Sequence, residues 1–241
     1  MTDAYGREPY PTRVHGFAFD LEGTVINVEP AHHGAHFATA AEVGVMLTID
    51  TAFQLLPHFI GGPDIEVMRD IWELSDKQVP PEELLRRKQE HYERLLKTMD
   101  IAPRPGFVEF LREVWHLGLE VSIGSLTPSS QARVLLARSG VGRLIGEKNI
   151  VLAEDVKNHK PAPDVFLRTA ALMGIQAQYQ IVFEDSPRGV QAAIAAGSRA
   201  IGMPVYPLKR TAAALVDAGV CRIFCDWREI NVAALLANLC G

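Results

Sequence analysis

The sequence predicts an α/β fold: a Rossmann-like parallel sheet core covered by helices on both faces, with an inserted all-helical cap domain. Three observations carry this. Short apolar runs at 16–19, 119–124 and 180–183 each end in acids or a hydroxyl, as buried strands of a parallel sheet do. The helical stretches around them stop at Gly118, Gly140, Gly174 and Gly197, the usual place of glycine just past a helix. Residues 29–100 show helical spacing and no strand pattern. The expected division is therefore a core of 14–28 plus 101–241, a cap of 29–100, and a loose polar tail of 1–13. Strand–helix alternation in the core implies right-handed crossovers and a sheet covered on both sides.

The first strand runs into Asp20, Leu21, Glu22, Gly23 and Thr24. Residues i and i+2 of an extended segment share a face, so both carboxylates point to one place. Ligands of open α/β sheets bind beyond the carboxyl ends of the strands. Gly23 lets the chain turn closely and Thr24 supplies a hydroxyl.

The cap begins with a helix at 31–45, started by Pro30. His32 and His36 share one face of it, with His33 between. With no acid or cysteine nearby to complete a tetrahedral set, the three read as cap-helix surface. A short helical or irregular piece spans 51–60, and Gly61-Gly62-Pro63 is a turn or loop. Ile65, Met68, Ile71 and Trp72 mark a helix at 64–74. Leu84, Leu85, Tyr92, Leu95, Leu96 and Met99 mark a longer one started by Pro80-Pro81. Its other face, with Arg86, Arg87, Lys88, Glu90, Glu93 and Arg94, reads as solvated.

The core resumes with a helix at 105–117 and a strand at 119–124 that leads to Ser125, Leu126 and Thr127. A helix at 129–139 and a strand at 150–153 precede Lys160. A helix at 163–173, a strand at 180–183 and the acids Glu184 and Asp185 follow. Then come a helix at 187–196, strands at 199–202 and 222–225, and helices near 209–218 and 229–239. Arg188 reads as a surface charge at a helix start. There is no internal repeat and no low-complexity segment.

Apolar residues make up 48% and charged residues 22%, with a net charge of −5. That is the profile of a soluble globular protein. No basic run suggests nucleic acid or an anionic membrane. No apolar run approaches the ~20 residues of a membrane helix, and the N-terminal stretch lacks a signal-peptide core. Three cysteines, Cys221, Cys225 and Cys240, give no disulfide framework and suit a reducing cytoplasm. Cys221 and Cys225 read as packing residues flanking a strand.

Four stretches, Asp20/Glu22/Gly23/Thr24, Ser125, Lys160 and Glu184/Asp185, appear in order, each behind a strand pattern. In this the chain resembles the haloacid dehalogenase superfamily of phosphotransferases, in the branch with a helical cap after the first motif. The resemblance covers roughly residues 14–203. It implies that Asp20 attacks phosphorus to give an aspartyl phosphate. It implies Mg²⁺ held by Asp20, the Glu22 backbone carbonyl and Asp185, with Glu184 assisting. Lys160 would neutralise the transferring oxygens, and Thr24, Ser125, Leu126 and neighbouring backbone N–H groups would hold them. The resemblance also implies that the loop at Gly61 and Gly62 helps select substrate; a plain helix–helix turn is the other reading.

Three departures stand out. Glu22 occupies a position where most phosphatases and mutases of the family carry Asp, as general acid and base. His159 stands where relatives often have Gly, and Leu126-Thr127 where many phosphatases have Asn. An acid at 22 speaks against dehalogenase and phosphonate-hydrolase activity. A Glu there also resembles the enolase-phosphatases, while the rest of the chain resembles the sugar-phosphate branch. The expected activity is therefore a Mg²⁺-dependent phosphatase of a small phosphorylated metabolite such as a sugar phosphate, as a cytoplasmic monomer or homodimer. The alternatives are a phosphomutase similar to β-phosphoglucomutase and a non-catalytic phosphate-binding regulatory module.

Overall fold

The computed structural model describes residues 13–60 and 62–239. The N-terminal tail up to residue 12, Gly61, Cys240 and Gly241 lie outside the described residues. The chain falls into two compact units: Val28–Ile101, and the described part of Met1–Asn27 with that of Ala102–Gly241.

The larger unit is built on one parallel sheet. Its strands are β1 (Gly16–Phe19), β2 (Glu120–Gly124), β3 (Ile150–Val151), β4 (Gln180–Glu184), β5 (Arg199–Gly202) and β6 (Arg222–Ile223), in the order β3-β2-β1-β4-β5-β6. β1 lies between β2 and β4, with Phe19 paired to Ile123 on one side and Phe183 on the other. The order reverses at β1, so Asp20 leaves the sheet at a topological switch point, where crevices open in such folds.

Alternation along these strands assigns each face its filling. Phe17, Phe19 and Phe183 point to one side, where they meet Phe107 and Phe110 of the helix Phe107–His116 and the indole of Trp227. The Trp227 ring centroid lies 4.8 Å from that of Phe110 and 4.9 Å from that of Phe183. Each fully buried aromatic or aliphatic side chain of this kind stabilises the fold by about 1.5–3 kcal/mol. Ala18, Val182 and Ala200 point to the other side, against Val165, Phe166 and Val190.

Some boundaries differ from the sequence reading. The helix expected at 105–117 is Phe107–His116. The third strand stops at Val151 and the sixth at Ile223; beyond them Leu152 N–H turns to Asp155 Oδ2 and Cys225 N–H to Glu229 Oε2. Past Gly140 the short helix Val141–Ile145 continues where only a helix end was expected. The last helix, Val232–Leu239, begins three residues late, since Trp227–Glu229 forms a separate 3₁₀ turn capped by Asp226.

The smaller unit is helical, with α-helices Glu29–Glu42, Ile49–Leu55, Asp64–Leu74 and Pro81–Thr98. The first ends at Glu42 rather than 45, where Val43 and Gly44 turn back onto Ala40 and Ala41. Its core gathers Ala40, Leu56, Phe59, Val67, Met68, Ile71 and Leu84.

Two readings are corrected here. Lys88 is not on a solvated face but fully buried, its ammonium 2.5 Å from Asp64 and 2.8 Å from His32 Nδ1. His33 and His36 are likewise buried rather than surface residues. An acid does stand beside these histidines: His36 Nε2 lies 3.0 Å from Asp64 Oδ1. Helix spacing showed which residues share a face, but not that Asp64 and Lys88, 24 positions apart, would neutralise each other inside. Among the described residues no helix is long and apolar enough to cross a membrane.

Candidate active site

At the carboxyl ends of β1, β2 and β4 lies a cleft of about 350 Å³ lined by Asp20, Glu22, Ser125, Leu126, Thr127, Pro128, Lys160, Asp185 and Ser186. β1, β2 and β5 each continue the ladder one residue past their ends. Asp20 N–H donates to Phe183 O, Ser125 N–H to Val151 O, and Met203 N–H to Glu184 O.

Lys160 is the centre of the buried charge. Its ammonium lies 2.5 Å from Asp20 Oδ1, 2.6 Å from Glu184 Oε1 and 3.2 Å from the Gly124 carbonyl. Phe166 closes its other side, the ring centroid 5.0 Å away. One ammonium between two carboxylates leaves the triad with an excess negative charge. Burial pushes the Asp20 carboxyl up to about 7 despite Lys160, with the Glu184 and Glu22 charges pushing the same way. Burial alone would lower the Lys160 ammonium, but the two carboxylates beside it hold it above its ordinary value. The lysine therefore stays charged throughout the neutral range.

Glu184 is engaged on both oxygens. Its Oε2 accepts from Ser186 N–H at 3.0 Å and Ser186 Oγ at 2.9 Å, while Oε1 takes Lys160. A Cβ on Gly189 would overlap that carboxylate, so the helix Pro187–Ala195 can approach Glu184 this closely only with glycine there. Arg188, read as a surface charge, is exposed yet donates to the Lys160 carbonyl at 2.7 Å.

The turn after Asp20 brings Glu22 and Thr24 round. Gly23 has φ 82°, and a Cβ on it would lie 2.2 Å from Asp185 Oδ2. The glycine serves both conformation and close approach to the second acid. Thr24 Oγ1 reaches Asp185 Oδ1 at 3.5 Å.

The residue that sequence reasoning left without a role is Thr127. Its hydroxyl lies 2.5 Å from Glu22 Oε1 and 2.9 Å from Ser125 Oγ, and its N–H donates to Ser125 Oγ. A hydroxyl two residues after Ser125 was the only signal in the sequence. Leu126 lines the cleft beside them. Gly62 belongs to the helical unit, where its N–H donates to His58 O and a Cβ would meet that same carbonyl at 2.4 Å.

The arrangement offers an ionisable carboxylate, a fixed cation against it, a second acid within the cleft and hydroxyls beside it. Those are the parts of phosphoryl transfer. The family model for haloacid dehalogenase-like hydrolases matches residues 17–203. The chain is 34% identical to the fructose-1-phosphate phosphatase YqaB of Escherichia coli strain K12, over 78% of this chain and 96% of that one. It is 30% identical to hexitol phosphatase A of the same organism, over 79% and 83%. A solved structure of a β-phosphoglucomutase-like protein from Thermotoga maritima superimposes with a TM-score of 0.74 at 25% identity, over 92% of this chain and 99% of that one. Four motifs assembled on one sheet edge, and these likenesses along most of the chain, lead to one conclusion: the protein belongs to the haloacid dehalogenase-like hydrolases, in their phosphatase and phosphomutase branch.

Proposed function

We propose that the chain is a Mg²⁺-dependent phosphomonoesterase acting on a small sugar phosphate through a phosphorylated Asp20. The observation that carries this is the Lys160 ammonium clamped between Asp20 and Glu184, 2.5 and 2.6 Å away, at the floor of the cleft. Lys160 favours the ionised, attacking form of Asp20 and offsets charge on the transferring oxygens. Asp20 attacks phosphorus and the bond to the ester oxygen breaks. Glu22 gives that oxygen its proton. As carboxylate, Glu22 then takes a proton from water, the water oxygen displaces Asp20 from phosphorus, and inorganic phosphate leaves. Ser125 binds phosphoryl oxygens with the backbone N–H groups beside Leu126, and Thr24 steadies Asp185.

The residues present fit Mg²⁺. Asp20, Glu22 and Asp185 line the cleft, Glu184 lies against Lys160, and the donors open to the cleft are oxygens, the kind Mg²⁺ takes. Among the described residues no group of three or more His, Cys, Asp or Glu side chains is arranged to hold a metal ion; the proposed donors are two side chains, Asp20 and Asp185, with the backbone carbonyl of Glu22. When bound, the ion would neutralise the repulsion between these acids and a phosphate dianion. Glu184, occupied by Lys160 and Ser186, would assist by fixing the lysine.

This substrate class is supported by the likeness to a fructose-1-phosphate phosphatase and a hexitol phosphatase. The likeness to a β-phosphoglucomutase-like structure favours a mutase as the second reading. A screen of phosphorylated metabolites with and without Mg²⁺ separates the possibilities. Phosphate release supports the phosphatase, and isomerisation of a hexose 1-phosphate the mutase. Binding without either identifies a regulatory module.

A further inference from the structure

The turn between Asp20 and Ile26 presents three consecutive carbonyls to groups outside it. Arg104 Nη1 donates to Gly23 O at 2.7 Å, Trp227 Nε1 to Thr24 O at 3.2 Å, and Arg104 N–H to Val25 O at 2.7 Å. The same guanidinium donates to Met203 O at 2.7 Å, Pro204 O at 3.3 Å and Cys225 O at 2.6 Å. Met203 N–H in turn holds Glu184 O. Arg104 is buried and does not line the cleft. Its guanidinium meets four carbonyl dipoles and, among the described residues, no carboxylate within hydrogen-bonding distance. Burial pulls its proton affinity down, and the nearby Asp185 and Asp226 charges work against that; a guanidinium stays protonated even so.

A buried cation is costly to maintain unless its donors are satisfied. Here it ties the turn after β1 to the loops after β5 and β6. Gly23 is the point of leverage: the same residue whose carbonyl Arg104 holds is packed directly on the Asp185 carboxylate. We infer that Arg104, with Trp227, is a positioning residue that sets the spacing between the Glu22 turn and Asp185 by gripping the carbonyl side of that turn. A lysine would keep the charge but lose the planar fork that reaches several carbonyls at once. As far as rate is concerned the inference rests on the phosphatase reading. As far as the turn's rigidity is concerned it stands alone.

The test uses the full-length protein and its Arg104→Lys and Trp227→Phe variants, with p-nitrophenyl phosphate as probe and Mg²⁺ titrated. A misplacement of about 1 Å costs on the order of 10²-fold in rate, so Arg104→Lys should lower kcat by about ten- to a hundredfold. KM should change far less, and the half-activating Mg²⁺ concentration should rise. Amide hydrogen exchange reads the turn itself. Gly23, Val25 and Ile26 N–H groups bond within it, to Ile26 O and Leu21 O. In both variants those amides should exchange roughly tenfold faster or more, while the central β1 and β4 amides hold. Exchange that is unchanged at 23–26, or that rises evenly across the sheet, overturns the inference. So does a kcat of Arg104→Lys equal to wild type in an active enzyme. If the wild-type protein hydrolyses no phosphate ester, the phosphatase reading fails, and the exchange pattern alone decides the role of Arg104.

Discussion

Thr127 Oγ1 lies 2.5 Å from Glu22 Oε1, joining the end of β2 to the turn after β1. The contact gives a physical account of the glutamate in the first motif. A side chain one methylene longer than aspartate extends across the cleft, and a hydroxyl meets it at that length. Thr127→Val should therefore remove this anchor of Glu22. A hydrogen bond to a charged group contributes about 1.5–3 kcal/mol, so the variant should lose roughly ten- to a hundredfold in kcat/KM. Thr127→Ser should retain most of it. Steady-state rates on one good phosphate ester check this; equal losses in the two variants would assign the effect to packing.

Glu22 itself is predicted to work as acid and base. Glu22→Gln should slow turnover by about 10²- to 10⁴-fold, the usual contribution of such a group. Glu22→Asp should also slow it, because the shortened acid no longer reaches the Thr127 hydroxyl. A faster Glu22→Asp enzyme would mean that the site is not fitted to glutamate.

Asp20→Asn should remove phosphate release altogether while the fold persists, since the amide has the same shape and no nucleophilic charge. Thermal denaturation beside a phosphate assay tests both halves. Turnover near wild type would exclude a phosphorylated Asp20. Chelation with EDTA should silence the wild-type enzyme and Mg²⁺ restore it, and Asp185→Ala should raise the Mg²⁺ requirement.

The pH profile should show the raised proton affinity of Asp20. With Asp20 as the proposed nucleophile, burial keeps its carboxyl protonated below about 7 at limiting Mg²⁺, so kcat/KM should climb as pH rises through that value. Added Mg²⁺ places positive charge beside the carboxylate, favours its ionised form and should move this limb to lower pH. An acidic limb near pH 4 at every Mg²⁺ concentration would contradict the burial of this carboxylate.

In the helical unit the prediction concerns stability. Removing one partner of a buried ion pair costs about 3–5 kcal/mol. Asp64 keeps about a third of its side chain exposed, which screens the pair, so Lys88→Met should cost nearer 1–3 kcal/mol. Burial works against the Asp64 charge, but the His36 hydrogen bond and the Lys88 ammonium hold its carboxyl well below the usual carboxylate value of 3.8. For a depressed carboxyl the sign is fixed: the stabilisation is complete above that ordinary value and is lost as pH falls further. Urea denaturation at pH 7 and pH 3 should show the difference between Lys88→Met and wild type shrinking at the lower pH. A variant as stable as wild type at pH 7 would return Lys88 to the solvated face.

The sequence by itself determined the order of elements and the four motif positions. Those signals are local: an apolar run, a turn and a helix start are neighbours in the chain, so Gly16–Phe19 and the acids behind it read correctly without any partner. The bounds of Asp64–Leu74 and Ser129–Ser139 were legible for the same reason, both being set by local breakers and caps. Only the tertiary structure decided which polar groups are buried and what they hold. Lys88 looked like one charge among several on a helix face, and packing against Asp64 took it out of water. Thr127 meets Glu22 across 105 positions, and Arg104 meets Gly23 across 81 and Cys225 across 121. Hydrogen bonds between side chains and carbonyls so far apart leave no periodicity in a sequence. They exist because a parallel sheet brings the ends of its strands, and the loops beyond them, to one edge.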